Sequence, residues 1–164
     1  MIDSDVILGK NVRIFNSDLV NLFGCRIGDN SFIGPFVEIT RGVSVGSSCI
    51  IESHSFICTG VTIEDDVFVG HGVMFVNDLF PRTSRHVEYR ETLVREGVSL
   101  GTGSVIIGGI SLGRYAVVGA GSVVTKDVRD YSIVAGNPAR EIKRFVDNKE
   151  MFAYIQSKQK SVVD

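Results

Sequence analysis

The chain has no tryptophan, only three cysteines and three histidines, and a net charge of just −2 over 164 residues. The near balance of charge exerts no general pull toward nucleic acid or an anionic membrane surface. No apolar run approaches the roughly 20 residues of a membrane span. The opening Met1-Ile2-Asp3-Ser4-Asp5 lacks the basic and apolar regions of a secretory signal, so a cytoplasmic location is expected. Cys25, Cys49 and Cys58 are odd in number and show no C-x-x-C spacing, which points to packed thiols in a reducing compartment. The missing indole suits a narrow interior filled by Ile, Val and Leu, in one domain spanning residues 1–164.

What the sequence does contain is a six-residue beat. It runs through Leu8, Ile14 and Val20, slips by one residue, and continues through Ile27, Ile33, Ile39, Val45, Ile51, Ile57, Ile63, Val69 and Phe75. It returns as Leu100, Ile106, Leu112, Val118 and Val124. The position four residues after each is usually small or β-branched, as at Ser31, Val37, Ser55, Val67, Ala116 and Ser122. This period fits neither an amphipathic helix nor an alternating strand. It predicts an all-β fold, a parallel β-helix of hexapeptide repeats over residues 6–128. Three repeats close one triangular coil, so residues eighteen apart stack at about 4.8 Å. Glycine, Asp and Asn at the corners supply left-handed turns.

One stretch breaks the beat. Residues 76–99 carry Arg82, Arg85, His86, Glu88, Arg90, Glu91, Arg95 and Glu96, and an excursion this long predicts a protruding functional loop. After the coils, Asn137-Pro138 interrupts the pattern. Ile142, Phe145, Val146, Phe152 and Ile155 then approximate one helical face, predicting a C-terminal α-helix over residues 141–157 that covers the last coil.

The repeats, the single loop and the ending Val134-Ala135-Gly136-Asn137-Pro138-Ala139-Arg140 resemble the left-handed β-helix acyltransferases. Ser53-His54-Ser55-Phe56-Ile57, Gly70-His71-Gly72-Val73-Met74-Phe75-Val76-Asn77-Asp78, Pro81-Arg82 and Tyr89-Arg90-Glu91-Thr92-Leu93-Val94 resemble the branch that N-acetylates nucleotide-linked 3-amino sugars for bacterial surface polysaccharides such as lipopolysaccharide. The resemblance implies a left-handed coil, acetyl-CoA as cosubstrate, a UDP- or dTDP-linked acceptor, and a homotrimer with sites between subunits. With no nucleotidyltransferase segment ahead of the coils, a bifunctional nucleotide-sugar synthase is not expected.

Acyl transfer from a thioester to an amine needs an aligned amine, a donor for the developing oxyanion, and a proton acceptor. Eighteen-residue stacking puts Asn77 in one corner row with Thr59 and Arg41. It puts His71 over Ser53, and His54 beneath Gly72, on a neighbouring corner. Asn77 and His71 then stand one prism edge apart, so a site using both draws them from adjacent chains. The resemblance implies that Asn77 and Asp78 place the acceptor, although an Asn-Asp pair also serves simply to turn a chain. His71 and His54 are the candidate bases; in the resembling branch, a neutral amine and the departing thiolate make a protein base dispensable. Thr59 stands where some relatives place an acid, and with Arg82 and Arg85 it is expected to bind substrate. The family pattern puts the pantetheine arm beside Gly101, Gly119 and Ala120, and the CoA phosphates near Lys126, Arg140 and Lys143.

Two other readings share the fold. A zinc-dependent carbonic anhydrase needs three histidines, but the position five residues after His71 is Val76, so no metal is expected. An O-acetyltransferase with a histidine base, acting on a sugar or serine hydroxyl, is the main alternative, and a non-catalytic scaffold is a third.

Overall fold

A computed structural model describes residues 1–79 and 89–160, with the side chains of the last two left aside. The strands are mostly two or three residues long, too short to persist alone. What holds them is stacking. From the third strand of the chain onward the inward residues are buried, and Leu22, Ile27, Ile33, Ile39, Ile51, Ile57, Ile63, Leu100, Ile106 and Leu112 are each at most 1% exposed. Fully burying one such side chain contributes about 1.5–3 kcal/mol, so each coil is stabilised by the coils above and below it rather than by its own few hydrogen bonds.

The strands form three parallel faces of six, eight and six strands. The first face runs from Ile7–Leu8 through Ser44–Val45 to Ser111–Leu112. The second runs from Arg13–Ile14 through Ile50–Ile51 to Val117–Val118. The third runs from Asn21–Leu22 through Phe56–Ile57 and Met74–Val76 to Val123–Val124. Pairings such as Ile33 with Ile51, and Ile51 with Val69, set the eighteen-residue register. The buried hydroxyls sit inside the corners: Ser55 Oγ donates to the Gly70 carbonyl at 3.0 Å, which closes the polar backbone of the turn. The free thiols are buried as expected. Burial pushes the Cys49 thiol up to about 11, and raises Cys25 and Cys58 as well.

Two boundaries differ from the sequence expectation. The coil resumes at Thr92–Val94 rather than at Leu100, with Val94 fully buried and paired to Ile63 below and Leu112 above. The break in the coil is therefore narrower than residues 76–99. At the other end, Ser132–Gly136 and Ala139–Arg144 form an antiparallel hairpin added to the second face. The helix occupies Asn148–Lys160, so the strand takes residues that the 141–157 helix was expected to hold. Ile142 and Val146 are 67% and 87% exposed, while Phe145 is buried. Pairing with the preceding strand satisfies this backbone more completely than one helical turn at a chain reversal would. The sheet edge is thus covered by the hairpin, and the helix lies against a corner, where Phe152 meets Tyr115 edge-on at 6.1 Å.

Candidate functional site

Two corners carry the candidate residues. At the corner between the second and third faces, Phe36, His54 and Gly72 follow one another in the left-handed conformation, with φ of 60°, 63° and 65°. Only glycine adopts this region without cost, yet two aromatic residues hold it here. Their rings sit 4.7 Å apart, a contact that offsets part of the backbone cost. His54 is thereby committed to Phe36. His71 stands differently: its Nδ1 lies 2.9 Å from Ser53 Oγ and 3.8 Å from a Glu52 carboxylate oxygen. Its side chain is 58% exposed. A partner on Nδ1 orients the ring and turns Nε2 outward, the arrangement a proton acceptor needs. Glu52 is a residue that sequence reasoning missed, because it lies one position off the eighteen-residue row that joins Ser53 to His71 and reaches the ring only through its side chain.

At the corner between the third and first faces, the predicted row is present. Asn77 Nδ2 donates to the Thr59 carbonyl at 3.0 Å, and Thr59 Oγ1 donates to the Arg41 carbonyl at 3.0 Å. With its amide nitrogen held by the coil below, half-buried Asn77 keeps its Oδ1 as an acceptor that this bond does not use. Above it lies Gly108, where a Cβ would come 3.2 Å from Asn77 Cα. Gly108-Gly109 was a further missed signal, a double glycine in the coil that caps the break. Asp78 is half-buried. Arg82 and Arg85, as well as His86, lie outside the described residues.

The strand Met74–Val76 separates His71 from Asn77, about four residues of extended chain or on the order of 13 Å. No single acceptor nitrogen reaches both within one chain. The outward residues of the two faces flanking the histidine corner are largely apolar: Phe32, Ile50 and Phe68 in register on the second, Phe56 and Met74 on the third. The corresponding row on the first face is Arg26, Ser44 and Thr62.

The residues expected at the cosubstrate divide into three groups. Gly101 N–H donates to the Val118 carbonyl and Gly119 N–H to the Val134 carbonyl, both at 2.8 Å. A Cβ on Gly101 would come 2.5 Å from Ala120 N, so this glycine serves close coil stacking, and Ala120 is the exposed member of the three. Lys126 and Arg140 come together around a cavity of about 290 Å³ with Val124, Val134 and Ala139. Glu141 closes one side of it, held by a two-point contact from Arg129 (2.7 and 3.2 Å) and by Ser132 Oγ at 2.9 Å. These partners, Arg129 foremost, hold the Glu141 carboxyl below the usual range. Lys143 goes elsewhere: its Nζ sits 4.1 Å from the Tyr154 ring centroid and 5.2 Å from that of Phe145. Lys143 pairs with Ile133 beyond the bulge, farther along the hairpin from the cavity than Arg140, which pairs with Ala135.

Among the described residues, no group of three or more His, Cys, Asp and Glu is placed to hold a metal, and no helix is long and apolar enough to cross a membrane.

Residues 24–59 and 91–126 match the bacterial transferase hexapeptide family, as six repeats. The chain is 53% identical over 58 residues to a dTDP-3-amino-3,6-dideoxy-α-D-galactopyranose 3-N-acetyltransferase of Aneurinibacillus thermoaerophilus, covering 35% of this chain and 30% of that relative. It is 29% identical over 154 residues to a galactoside O-acetyltransferase of Lactococcus lactis, covering 86% and 72%. A hexapeptide-repeat acetyltransferase from Vibrio cholerae, solved with acetyl coenzyme A, superposes with a TM-score of 0.68 at 26% identity, over 76% of this chain and 73% of that one. The chain folds as a parallel β-helix whose two matched stretches carry the repeats of the bacterial hexapeptide transferases, and it resembles the left-handed β-helix acyltransferases among them, the amino-sugar N-acetyltransferases included.

Proposed function

We propose that this protein is an acetyl-CoA-dependent N-acetyltransferase acting on a nucleotide-linked 3-amino sugar, and that it works as a homotrimer with sites between copies. The observation that carries the reading is the row Arg41–Thr59–Asn77, in which the Asn77 amide is fixed by its nitrogen and offers its oxygen. That oxygen accepts a hydrogen bond from the acceptor amine and aims the nitrogen lone pair at the thioester carbon. The amine nitrogen forms the new C–N bond, the C–S bond breaks, and coenzyme A leaves as a thiolate. The amine proton passes to His71 Nε2 of the adjacent copy and from there to the thiolate, with Ser53 and Glu52 holding the ring. No acyl-enzyme is involved, because all three thiols are buried with raised pKa values. The Aneurinibacillus relative supports the acceptor class, and the Vibrio structure supports the donor. Ala120, Lys126 and Arg140 would meet coenzyme A, the two cations pairing with its phosphates.

The apolar rows on the second and third faces support side-by-side association of copies. Such association closes the distance between Asn77 of one and His71 of the next. A hydroxyl acceptor is the second reading. The polar setting of His71 and the galactoside O-acetyltransferase relative favour it, since a hydroxyl depends on a base more than an amine does.

Thiol release from acetyl-CoA, followed over a panel of dTDP- and UDP-linked amino sugars together with simple glycosides and serine, tests both readings. Turnover with a nucleotide-linked amine is expected, and Asn77→Ala should lower its kcat by about a hundredfold or more. Turnover only with hydroxyl acceptors would overturn the N-acetyl reading, and release with no acceptor at all would overturn both.

A further inference from the structure

Several arginines of the coils are committed to acids: Arg41 is paired with Asp5 at 2.7 Å, and at the corner between the first and second faces Arg95 lies 3.9 Å from Glu64 and Arg114 is paired with Glu96 at 2.9 Å. Among the described residues, Arg90 has no hydrogen-bond or ion-pair partner and is exposed. It is nonetheless well placed. A Cβ built on Gly109 would come 2.8 to 3.4 Å from Arg90 Cδ, Cβ and Cγ, and one built on Gly60 would come 3.4 Å from the Arg90 carbonyl. The arginine stem therefore lies flat across Gly109, with its own backbone resting on Gly60. Both glycines hold left-handed φ values, 85° and 93°, which other residues adopt only at a cost. Gly60 directly follows Thr59, and Gly109 directly follows Gly108, so Arg90 fills the row beside Thr59, Asn77 and Gly108.

An arginine whose stem is pinned has already lost much of its rotamer freedom, which lowers the cost of holding an anion. It stands one row from Asn77 and at the same level, two coils below Lys126, which stacks over Gly108 in the same corner and with Arg140 forms the pair suited to coenzyme A. We infer that Arg90 grips the diphosphate of the nucleotide-linked acceptor and thereby sets the preference for a nucleotide sugar over a free one. Its guanidinium presents paired donors to phosphate oxygens, while Asn77 receives the sugar amine. This inference rests on the nucleotide-sugar reading above and adds the residue that enforces it.

The test compares wild type, Arg90→Ala and Arg90→Lys in steady-state acetylation of dTDP- and UDP-linked 3-amino sugars, with free dTDP and UDP as inhibitors. Arg90→Ala is expected to raise the acceptor KM and the inhibition constant of the nucleoside diphosphate together by about tenfold or more, the loss of one charge-assisted two-point contact. The KM for acetyl-CoA should stay within about threefold, and Arg90→Lys should recover part of the loss. An Arg90→Ala enzyme with unchanged acceptor KM and unchanged dTDP or UDP inhibition overturns the assignment. If the alanine variant does not fold, the lysine variant decides: a raised inhibition constant supports the contact, and an unchanged one removes it. A wild-type enzyme that acetylates no nucleotide-linked amine at all fails at the earlier step, and its acceptor panel shows that separately.

Discussion

Cys49 stands inside a corner with no exposed surface, its thiol 3.2 Å from the Glu64 carbonyl. Desolvation is the main reason its pKa rises to about 11. The sign of the consequence is fixed by which state binds the proton. Above about pH 8.5, where an unperturbed thiol ionises, the unfolded chain releases this proton and the folded chain keeps it. Stability therefore falls as pH rises from that point through about 11, by on the order of 3 kcal/mol from this residue alone. Cys49→Ala should flatten the fall. Urea unfolding of both proteins at pH 8 and pH 11 measures it, and parallel pH dependences would show the thiol ionises freely in the native state. At this same scale, Asn77, Thr59 and Ser53 were legible from eighteen-residue arithmetic, because a stacked coil turns sequence separation directly into height. Glu52 was not, since its value comes from a side-chain angle and not from a row.

The elements at the end of the chain show why periodicity reads the coils well and their termination badly. An inward aliphatic every sixth residue has one geometric solution, whereas Ile142, Phe145 and Val146 suit a helix face and a strand equally over so few residues. The hairpin won because its partner strand was already in place. A sharper local signal was present in Asp147-Asn148-Lys149-Glu150: the Glu150 N–H donates to Asp147 Oδ1 at 2.9 Å, and the Glu150 carboxylate accepts from Val146 N–H at 2.9 Å. Such reciprocal capping marks a helix start. The hairpin also decides which cations face the cavity. Lys126→Ala and Arg140→Ala should each raise the acetyl-CoA KM by roughly three- to tenfold, in line with one charge-assisted bond lost at an exposed site. Lys143→Ala should leave that KM unchanged and lower the melting temperature instead, as it loses its seat on Tyr154. Steady-state kinetics beside thermal melts separate these outcomes, and an equal rise in KM for all three would mean that the hairpin is not arranged around the cosubstrate as proposed.

For the whole molecule, the separation of the two candidate corners is the fact with most consequence. Within one chain, His71 and Asn77 lie at opposite ends of the strand Met74–Val76 and its turns, and no side-chain motion joins them. Rows of Phe32, Ile50 and Phe68, and of Phe56 and Met74, run alongside the histidine corner, with Ile50, Phe68 and Met74 each 38–41% exposed. Stripes of this kind on a solenoid call for cover, and a closed ring of copies supplies it while leaving no unmatched face. If the rings form and the sites lie between copies, Asn77→Ala and His71→Ala are defects in different halves of the same site. Each pure variant should be nearly inactive. Co-folded as an equal mixture, random threefold rings would contain an intact pair at about a quarter of their interfaces, and turnover should climb toward that fraction of wild type. Light scattering fixes the ring size on the same sample. Recovery no greater than the sum of the two variants would place both groups in separate roles within a single chain, and the shared cleft would have to be abandoned.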